Sequence, residues 1–351
     1  MKIPTVPLPA LNQREATQAA FDAKTKPIGS LGRLEWICGE LAAIQGQTPP
    51  VVDRRRVLVF AADHGITAEG VSAYPQAVTH EMLKNFAAGG AAINVLSRRL
   101  GAALEVIDVG VVGEAVPGVL NRKIRPGTRN FSVEAAMTKS EVEAAFEVGL
   151  DRAQVAYADG MRLLALGEMG IGNTASASAL LSLLTDSNVE QTVGRGAGLD
   201  NAGLAHKVEV LRRAVELHSR PELTAEEALC CVGGLELAAL AGAAVGAAAN
   251  RVPVLIDGFI CTVAALVAAH LSPECRGAMI FSHRSSEPGH ALALRALDAE
   301  PLFDLGLRLG EGSGAALAIS LVDAAVQLFC EMATFAGAGV SRSTRRSSDA
   351  A

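Results

Sequence analysis

Five short apolar runs lie along the chain, and each ends in polar or glycine-rich residues. They span residues 57–62, 104–107, 162–166, 254–256 and 278–281. Segments of helical length separate them, among them 77–100, 174–184 and 262–270. Buried strands that alternate with helices are typical of parallel sheets covered on both faces. We therefore expect an α/β fold with a doubly wound, mostly parallel sheet flanked by helices.

The two ends of the chain lie outside this alternation. Apolar residues at helical spacing predict one helix over 31–44 and another over 315–335. We expect the terminal helices to form a smaller domain that caps a crevice, and the polar tail to be disordered. The predicted division is a small helical domain of 1–50 plus 300–340, a large α/β domain of 51–299 and a disordered tail of 341–351.

Composition excludes several classes of protein. The net charge of −6 argues against nucleic acid as a partner, because phosphate backbones are bound by basic surfaces. Two apolar stretches, 230–249 and 252–271, are interrupted by Glu236 and Asp257, which argues against membrane spans. No secretory signal is visible, and none of the six cysteines forms a C-x-x-C pair. We expect a cytoplasmic protein with buried, reduced thiols.

Polar residues follow the predicted strands at the edge where sheets of this class bind ligands. They are Asp63 and His64, Asp108, Glu168, Asp257, and Ser282 to Arg284. Asp and Gly are also ordinary turn formers, so some of these positions are expected to be turns only. The set as a whole predicts a polar ligand crevice.

Three of the loops each allow two interpretations. Gly167–Thr174 precedes a predicted helix, so it is either a phosphate site at the helix start or a plain capped turn. Ser282–His290 either binds an anion or is a hydrogen-bonded structural loop, and the spacing of its two histidines, His283 and His290, fits no common structural zinc pattern. His64 either takes part in acid–base chemistry or bonds the backbone.

The segment Leu307–Gly314 places one carboxylate, Glu311, between two glycines, which lets a ligand approach closely. Gly310, Gly312 and Ala315 also nearly form the G-x-G-x-x-G/A dinucleotide pattern. A nicotinamide-dependent oxidoreductase would need a strand directly before this loop and an acidic residue about 20 positions later at a strand end. A ligand-binding protein without catalytic activity is the other alternative.

Taken together, the motifs resemble one family, the nicotinate-nucleotide–dimethylbenzimidazole phosphoribosyltransferases. The resembling segments occur in the family's order: Lys26–Glu35, Ala62–Ile66, Gly70–Thr79, Gly89–Val95, Gly167–Thr174, Gly194–Asp200, Asp257–Ile260, Ser282–His290 and Leu307–Gly314. The resemblance implies phosphoribosyl transfer from nicotinate mononucleotide to 5,6-dimethylbenzimidazole, a step of cobalamin synthesis that gives α-ribazole 5′-phosphate and nicotinate. It also implies a homodimer without metal or organic cofactor.

The resemblance assigns roles to particular residues. Glu311 falls on the catalytic glutamate and Glu168 on a second active-site glutamate. The base pocket would involve Ser72, Tyr74 and Gln76. The phosphate and ribose contacts would come from Gly170, Gly172, Asn173, Thr174, Lys207, Asp257, Ser285 and Gly312. The chain departs from the family at Ala175, where a second threonine is usual.

The residue types agree with this chemistry. Nicotinate leaves a pyridinium as a neutral ring, whereas the incoming benzimidazole must lose a proton when its other nitrogen attacks C1′. One carboxylate can accept that proton as general base. We expect Glu311 to be this base, with inversion at C1′, and Glu168 to stabilise the oxocarbenium-like transition state by its charge.

Overall fold

A computed structural model describes residues 1–341 of the chain. The expected disorder of the tail concerns residues that lie, apart from Ser341, outside this range. The strands are β1 (Arg55–Ala62), β2 (Ala103–Gly110), β3 (Leu120–Asn121), β4 (Leu163–Met169), β5 (Val254–Ile256) and β6 (Met279–Phe281). The first helices are α1 (Leu11–Asp22), α2 (Arg33–Gln45), α3 (Ala77–Ala88), α4 (Ala92–Leu100), α5 (Lys139–Ala158), α6 (Asn173–Thr185) and α7 (Val189–Thr192). The remaining helices are α8 (Asn201–His218), α9 (Ala225–Val232), α10 (Leu235–Ala249), α11 (Phe259–Leu271), α12 (Pro288–Ala296), α13 (Ser313–Glu331) and α14 (Phe335–Ala338).

Within the described residues the strands form a six-stranded sheet in the order β3-β2-β1-β4-β5-β6, and every pair is parallel. The expected α/β fold with a parallel sheet is confirmed. Strand order reverses between β1 and β4, which is the point where open sheets of this class bind ligands. The register pairs Phe60 of β1 with Glu168 of β4. Glu168 therefore lies near the edge of the sheet formed by the carboxyl ends of the strands.

Two predicted elements differ in the structure. The segment 77–100 is two helices rather than one, because Gly89 adopts a left-handed φ of 80° and ends α3. The predicted helix over 315–335 begins earlier, at Ser313, and ends at Glu331, with α14 separate. The short β3 had no apolar run to indicate it. Of the six cysteines, Cys38, Cys231, Cys261 and Cys275 are buried, whereas Cys230 is partly exposed and Cys330 is exposed.

The chain divides into two compact units. The first contains Met1–Leu8 and Asp53–Ile319, and it holds the sheet. The second contains Pro9–Val52 and the described residues from Ser320 onward. The boundaries therefore differ from the expected ones, because residues 300–319 and the first eight residues belong to the unit with the sheet. A capping role for the smaller unit stays a prediction.

Each unit has its own packed interior. In the second unit the ring of Phe21 meets that of Phe329 edge to face, with centroids 5.2 Å apart. In the same unit the side chains of Lys26 and Glu35 form a buried ion pair at 2.8 Å. Of the described helices, α13 is long and apolar enough to cross a membrane by those two measures, but half of its most apolar stretch is buried within the protein.

In the first unit, α10 packs against α5 through glycines. A Cβ at Gly149 of α5 would lie 1.9 Å from the carbonyl oxygen of Ala239, and one at Gly242 would lie 2.0 Å from that of Phe146. Since α10 also packs on the sheet, this close approach fixes α5 to the core.

Gly149→Ala is expected to destabilise the protein by about 1–3 kcal/mol, the usual range for overpacking. On an exposed helix the same change would stabilise the protein by roughly 0.5–1 kcal/mol. The sign of the change in the free energy of unfolding therefore distinguishes close packing from exposure. Urea unfolding gives the measurement. Glu147→Ala, an exposed change in the same helix, is the control and should change the free energy of unfolding by less than about 0.5 kcal/mol. A more stable Gly149→Ala variant would contradict the close packing.

Candidate active site

A cavity of about 430 Å³ lies in the first unit, at the carboxyl ends of β4, β5 and β6. Its wall residues come from the segments 72–82, 168–174, 196–197, 257–261, 283–287 and 308–311. The strand-end residues therefore meet at one edge of the sheet. The predicted site residues that line the cavity are Ser72, Tyr74, Glu168, Gly170, Gly172, Asn173, Thr174, Asp257, Ser285 and Glu311.

Three predicted site residues, Gln76, Lys207 and Gly312, do not line the cavity. Gln76 precedes α3, and its side-chain oxygen accepts a hydrogen bond from the Thr67 hydroxyl at 3.3 Å. The Gly312 N–H donates to Asp257 Oδ2 at 3.2 Å, so it is engaged within the protein. Lys207 contacts the loop Gly170–Thr174 through a hydrogen bond to Thr174 Oγ1 but does not itself line the cavity.

Glu311 lies in a left-handed turn directly before α13. Its φ is 62°, and both flanking glycines have φ values of 82°. The carboxylate is buried, and Oε2 accepts a hydrogen bond from the Ile93 N–H at the start of α4, at 3.4 Å. A Cβ at Gly167 would lie 2.4 Å from the Glu311 carbonyl oxygen, so the turn packs directly on β4.

Burial raises the pKa of Glu311, the Ile93 N–H opposes that shift, and the negative charge of Asp257 adds to it. The net direction is upward. A carboxylate with a raised pKa is a stronger proton acceptor, provided that the pH is high enough to keep it ionised. The geometry and the pKa together suit Glu311 to general base chemistry.

Glu168 lies near the end of β4, and its backbone carbonyl accepts the Glu311 N–H at 3.2 Å. Its pKa is raised well above the ordinary range by burial and by the charges of Asp257, Glu236 and Glu311, against a hydrogen bond from the Asn173 amide. These surroundings therefore favour the neutral carboxyl. Since a positive charge nearby favours the ionised form, a cationic ring bound beside Glu168 would lower its pKa.

The loop Gly170–Thr174 leads into α6, whose first turn begins at Asn173. Its preceding residue, Gly172, has a φ of 95°, and the Ile171 N–H is donated to the Thr79 hydroxyl at 3.0 Å. No side chain caps this helix start. Ala175 is fully buried, and its N–H donates to the Gly172 carbonyl at 3.0 Å.

Lys207 of α8 is a buried cation beside this loop. Its Nζ donates to Thr174 Oγ1 at 2.9 Å and to the Gly194 carbonyl at 3.2 Å. Burial lowers its pKa to about 8, although the charge of Glu287 acts in the opposite direction. A helix start without a capping side chain, next to a buried ammonium group, is a suitable anion site.

The three histidines whose roles were open have distinct partners. His64 Nε2 lies 2.7 Å from Glu236 Oε1, and both side chains are fully buried outside the cavity wall. His290 accepts the Ser285 N–H at 2.8 Å, and burial lowers its pKa to about 3, so it is a structural acceptor. His283 Nε2 lies 3.5 Å from Asp257 Oδ1. Within residues 1–341 no cluster of three or more His, Cys, Asp or Glu residues could hold a metal ion.

Sequence reasoning missed most of the apolar wall and one acid. The missed wall residues include Val78, Met82, Met169, Phe259, Ile260 and Leu309. Their apolar character does not distinguish them from core residues, but all except Met82 lie within the segments that carry the family resemblance, and that position was the available signal. Glu236 was noted only as an interruption of an apolar stretch; its isolation in an alanine-rich helix was the available signal.

The oxidoreductase alternative lacks its structural requirements. Residues 304–310, directly before the glycine loop, form no strand, and the acid at the required spacing, Glu331, ends α13 rather than a strand. The pattern of Gly310, Gly312 and Ala315 is therefore not part of a dinucleotide fold.

Comparison with known proteins defines the class. A sequence model of a phosphoribosyltransferase family matches residues 6–340. A nicotinate-nucleotide–dimethylbenzimidazole phosphoribosyltransferase of Pseudomonas putida (strain GB-1) is 52% identical over 333 residues, 94% of each chain. One of Azotobacter vinelandii is 53% identical over 324 residues, 92% of each chain. A crystal structure of CobT from Thermus thermophilus superposes with a TM-score of 0.91 at 45% identity, over 95% of this chain and 100% of that one.

The chain is thus a transferase of the phosphoribosyl class. It belongs to the nicotinate-nucleotide–dimethylbenzimidazole phosphoribosyltransferase family, as the motif resemblance predicted.

Proposed function

We propose that this enzyme transfers the phosphoribosyl group of nicotinate mononucleotide to 5,6-dimethylbenzimidazole and so supplies a precursor for cobalamin synthesis. The observation that carries the proposal is the cavity itself. It places a buried carboxylate with a raised pKa, Glu311, in the same wall as the helix start at Asn173. The carboxylate of Glu311 can accept a proton, and the helix start at Asn173 can bind a phosphate.

The reaction balances with these groups. One benzimidazole nitrogen forms a bond to C1′ of the ribose while the bond from C1′ to the pyridinium nitrogen breaks. The electron pair of that bond stays on the leaving ring and neutralises it, so nicotinate needs no proton. The other benzimidazole nitrogen gives its proton to Glu311. Attack opposite the leaving group converts the β configuration at C1′ to α.

The remaining predicted residues keep their proposed roles around this centre. Ser72 and Tyr74 line the cavity together with Val78 and Met82, and we place the flat base among them. We place the phosphate at Gly170–Thr174, with Lys207 and Ser285 near it. Glu168, ionised in the presence of the pyridinium, would stabilise positive charge on the ribose ring.

The phosphate placement is supported by donors and charge. Backbone N–H groups at a helix start carry a partial positive charge, and Lys207 adds a full one from behind Thr174. Gln76 and Gly312 do not line the cavity, and their contacts with substrate stay predictions. A homodimer, a cytoplasmic location and the lack of nucleic-acid and membrane partners stay predictions.

The proposal predicts a defined product. Incubation with nicotinate mononucleotide and 5,6-dimethylbenzimidazole should release nicotinate and α-ribazole 5′-phosphate in equal amounts, measured by chromatography and by the anomeric proton signal in NMR spectra. A β-configured product would contradict direct displacement. Binding of both compounds without turnover would favour the non-catalytic alternative. Parallel reactions with other benzimidazoles and with adenine would establish which base the pocket prefers.

A further inference from the structure

Asp257 uses both of its carboxylate oxygens to hold the start of α13. Oδ2 accepts the Gly312 N–H at 3.2 Å, and Oδ1 accepts the Ala315 N–H at 2.9 Å. The first N–H groups of a helix have no acceptor within the helix itself. Asp257 follows β5 and is almost fully buried, so it caps this helix from a different part of the chain.

Glu311 directly precedes Gly312, the first residue whose N–H Asp257 accepts. Its φ of 62° is unfavourable for a residue with a side chain. Bonds on both sides hold this turn. The Glu311 N–H donates to the carbonyl of Glu168, and the next N–H, that of Gly312, donates to Asp257. The direction in which Glu311 points therefore depends on the position of Asp257.

His283 in turn holds Asp257. Its Nε2 lies 3.5 Å from Asp257 Oδ1, and its ring stacks on Phe303 at a centroid distance of 6.1 Å. The imidazole fits between two glycines. A Cβ at Gly314 would lie 2.0 Å from Cδ2 of the ring, and one at Gly258 would lie 3.1 Å from Nε2. The ring has little room to move.

We propose that Asp257 and His283 form a positioning pair for Glu311, an inference that rests on the proposed role of Glu311 as general base. The carboxylate of Asp257 fixes the left-handed turn, and the imidazole of His283 fixes that carboxylate and balances its charge. Neither residue is assigned contact with the reacting atoms. In this proposal Asp257 acts as a positioning residue, and the ribose contact that the family resemblance implies for it stays a separate prediction.

Electrostatics gives the pair a signature that a purely structural role lacks. Burial lowers the pKa of His283, but its hydrogen bond to Asp257 and the charge of that residue outweigh burial, so the net shift is upward. The charge of Asp257 also raises the pKa of Glu311. Removal of the negative charge should lower the pKa of Glu311, and removal of the positive charge should raise it. Other titratable or charged groups facing the pair are Glu168, Cys261, Arg284, His290 and Asp304.

The test is the pH profile of kcat/KM for Asp257→Asn, His283→Gln and the double variant. We expect the acid limb to move to lower pH in Asp257→Asn and to higher pH in His283→Gln, and to return towards the wild-type position in the double variant. Misplacement of the base should lower kcat of Asp257→Asn about 10- to 100-fold, while KM for nicotinate mononucleotide changes less than about threefold.

Thr138→Ala is the matched control. Thr138 caps α5, a helix of similar length, through a hydrogen bond from the Glu141 N–H, and it lies outside the cavity wall. This variant should lower Tm and leave the pH profile unchanged. If Asp257→Asn and His283→Gln behave in the same way, the inference is overturned. If Asp257→Asn does not fold, His283→Gln tests the inference alone. An acid limb at higher pH than in the wild type supports the positioning pair, and an unshifted limb overturns it.

The experiments distinguish failure of the positioning pair from failure of the proposed role of Glu311 as general base. Near wild-type turnover of Glu311→Gln would overturn the role of Glu311, and with it the purpose of the pair. Loss of turnover in Glu311→Gln together with unshifted limbs in the pair variants would overturn the pair alone.

Discussion

Glu311→Gln is expected to lower kcat by about 10²- to 10⁴-fold, the usual contribution of a positioned general base. The amide keeps the size of the side chain and can still accept the Ile93 N–H, so the fold and the cavity should be unchanged. It has no capacity to take a proton at neutral pH. The variant should also lose the acid limb of the pH profile.

The direction in which the rate changes with pH follows from the pKa of Glu311. A base acts when it is deprotonated, so the wild-type rate should fall as pH decreases through the pKa of Glu311, which burial raises. Steady-state kinetics from acid to neutral pH measures it. Glu134→Gln changes an exposed acid outside the cavity wall and serves as the control. Turnover of Glu311→Gln near that of the control would remove Glu311 from the mechanism.

Lys207→Met should lower kcat/KM for nicotinate mononucleotide roughly 10- to 100-fold, because the phosphate loses the attraction of a nearby buried charge, worth about 1.4–2.7 kcal/mol at the effective dielectric constant of a protein. Methionine has a similar length and fits a site that is almost fully buried. The same variant should treat nicotinate riboside, which lacks the phosphate, much as the wild-type enzyme does. The comparison of the two substrates separates the effect of the Lys207 charge on the phosphate from a general loss of activity.

The pKa of Lys207 makes this prediction dependent on pH. Because burial lowers that pKa to about 8, the ammonium is present below this value and is lost as pH rises through it. The kcat/KM of the wild-type enzyme for the mononucleotide should therefore decline above about pH 8, and that of Lys207→Met should not. Lys139→Met, at an exposed lysine, is the control. Equal losses for mononucleotide and riboside would contradict a phosphate role.

The sheet was predictable because its strands are short apolar runs with polar ends. All five predicted runs are strands, and their parallel order places Glu168 and Asp257 at one edge. The strand β3 was missed because two residues carry no periodic signal. The split of 77–100 was missed because the sequence alone does not reveal whether Gly89, in the middle of this segment, has a positive φ.

The candidate site was predictable in its residue types and only partly in its connections. Glu311 was identified from its glycine neighbours and from the family resemblance. Its hydrogen bond to Ile93 joins residues 218 positions apart, and no local pattern contains such a pairing. The same is true of the pair formed by His64 and Glu236, which lie 172 positions apart. Contacts of this kind arise from the packing of complete elements.

The left-handed conformation of Glu311 sets stability and activity against each other at a single position. A residue with a side chain is disfavoured there by roughly 1–2 kcal/mol relative to glycine. The two neighbours of Glu311 are glycines and adopt the same left-handed conformation without this cost. Selection of this protein for heat resistance alone would favour glycine at 311, and the resulting enzyme would have lost its proposed base. Engineering for thermostability should therefore exclude this turn from mutagenesis and monitor turnover alongside Tm.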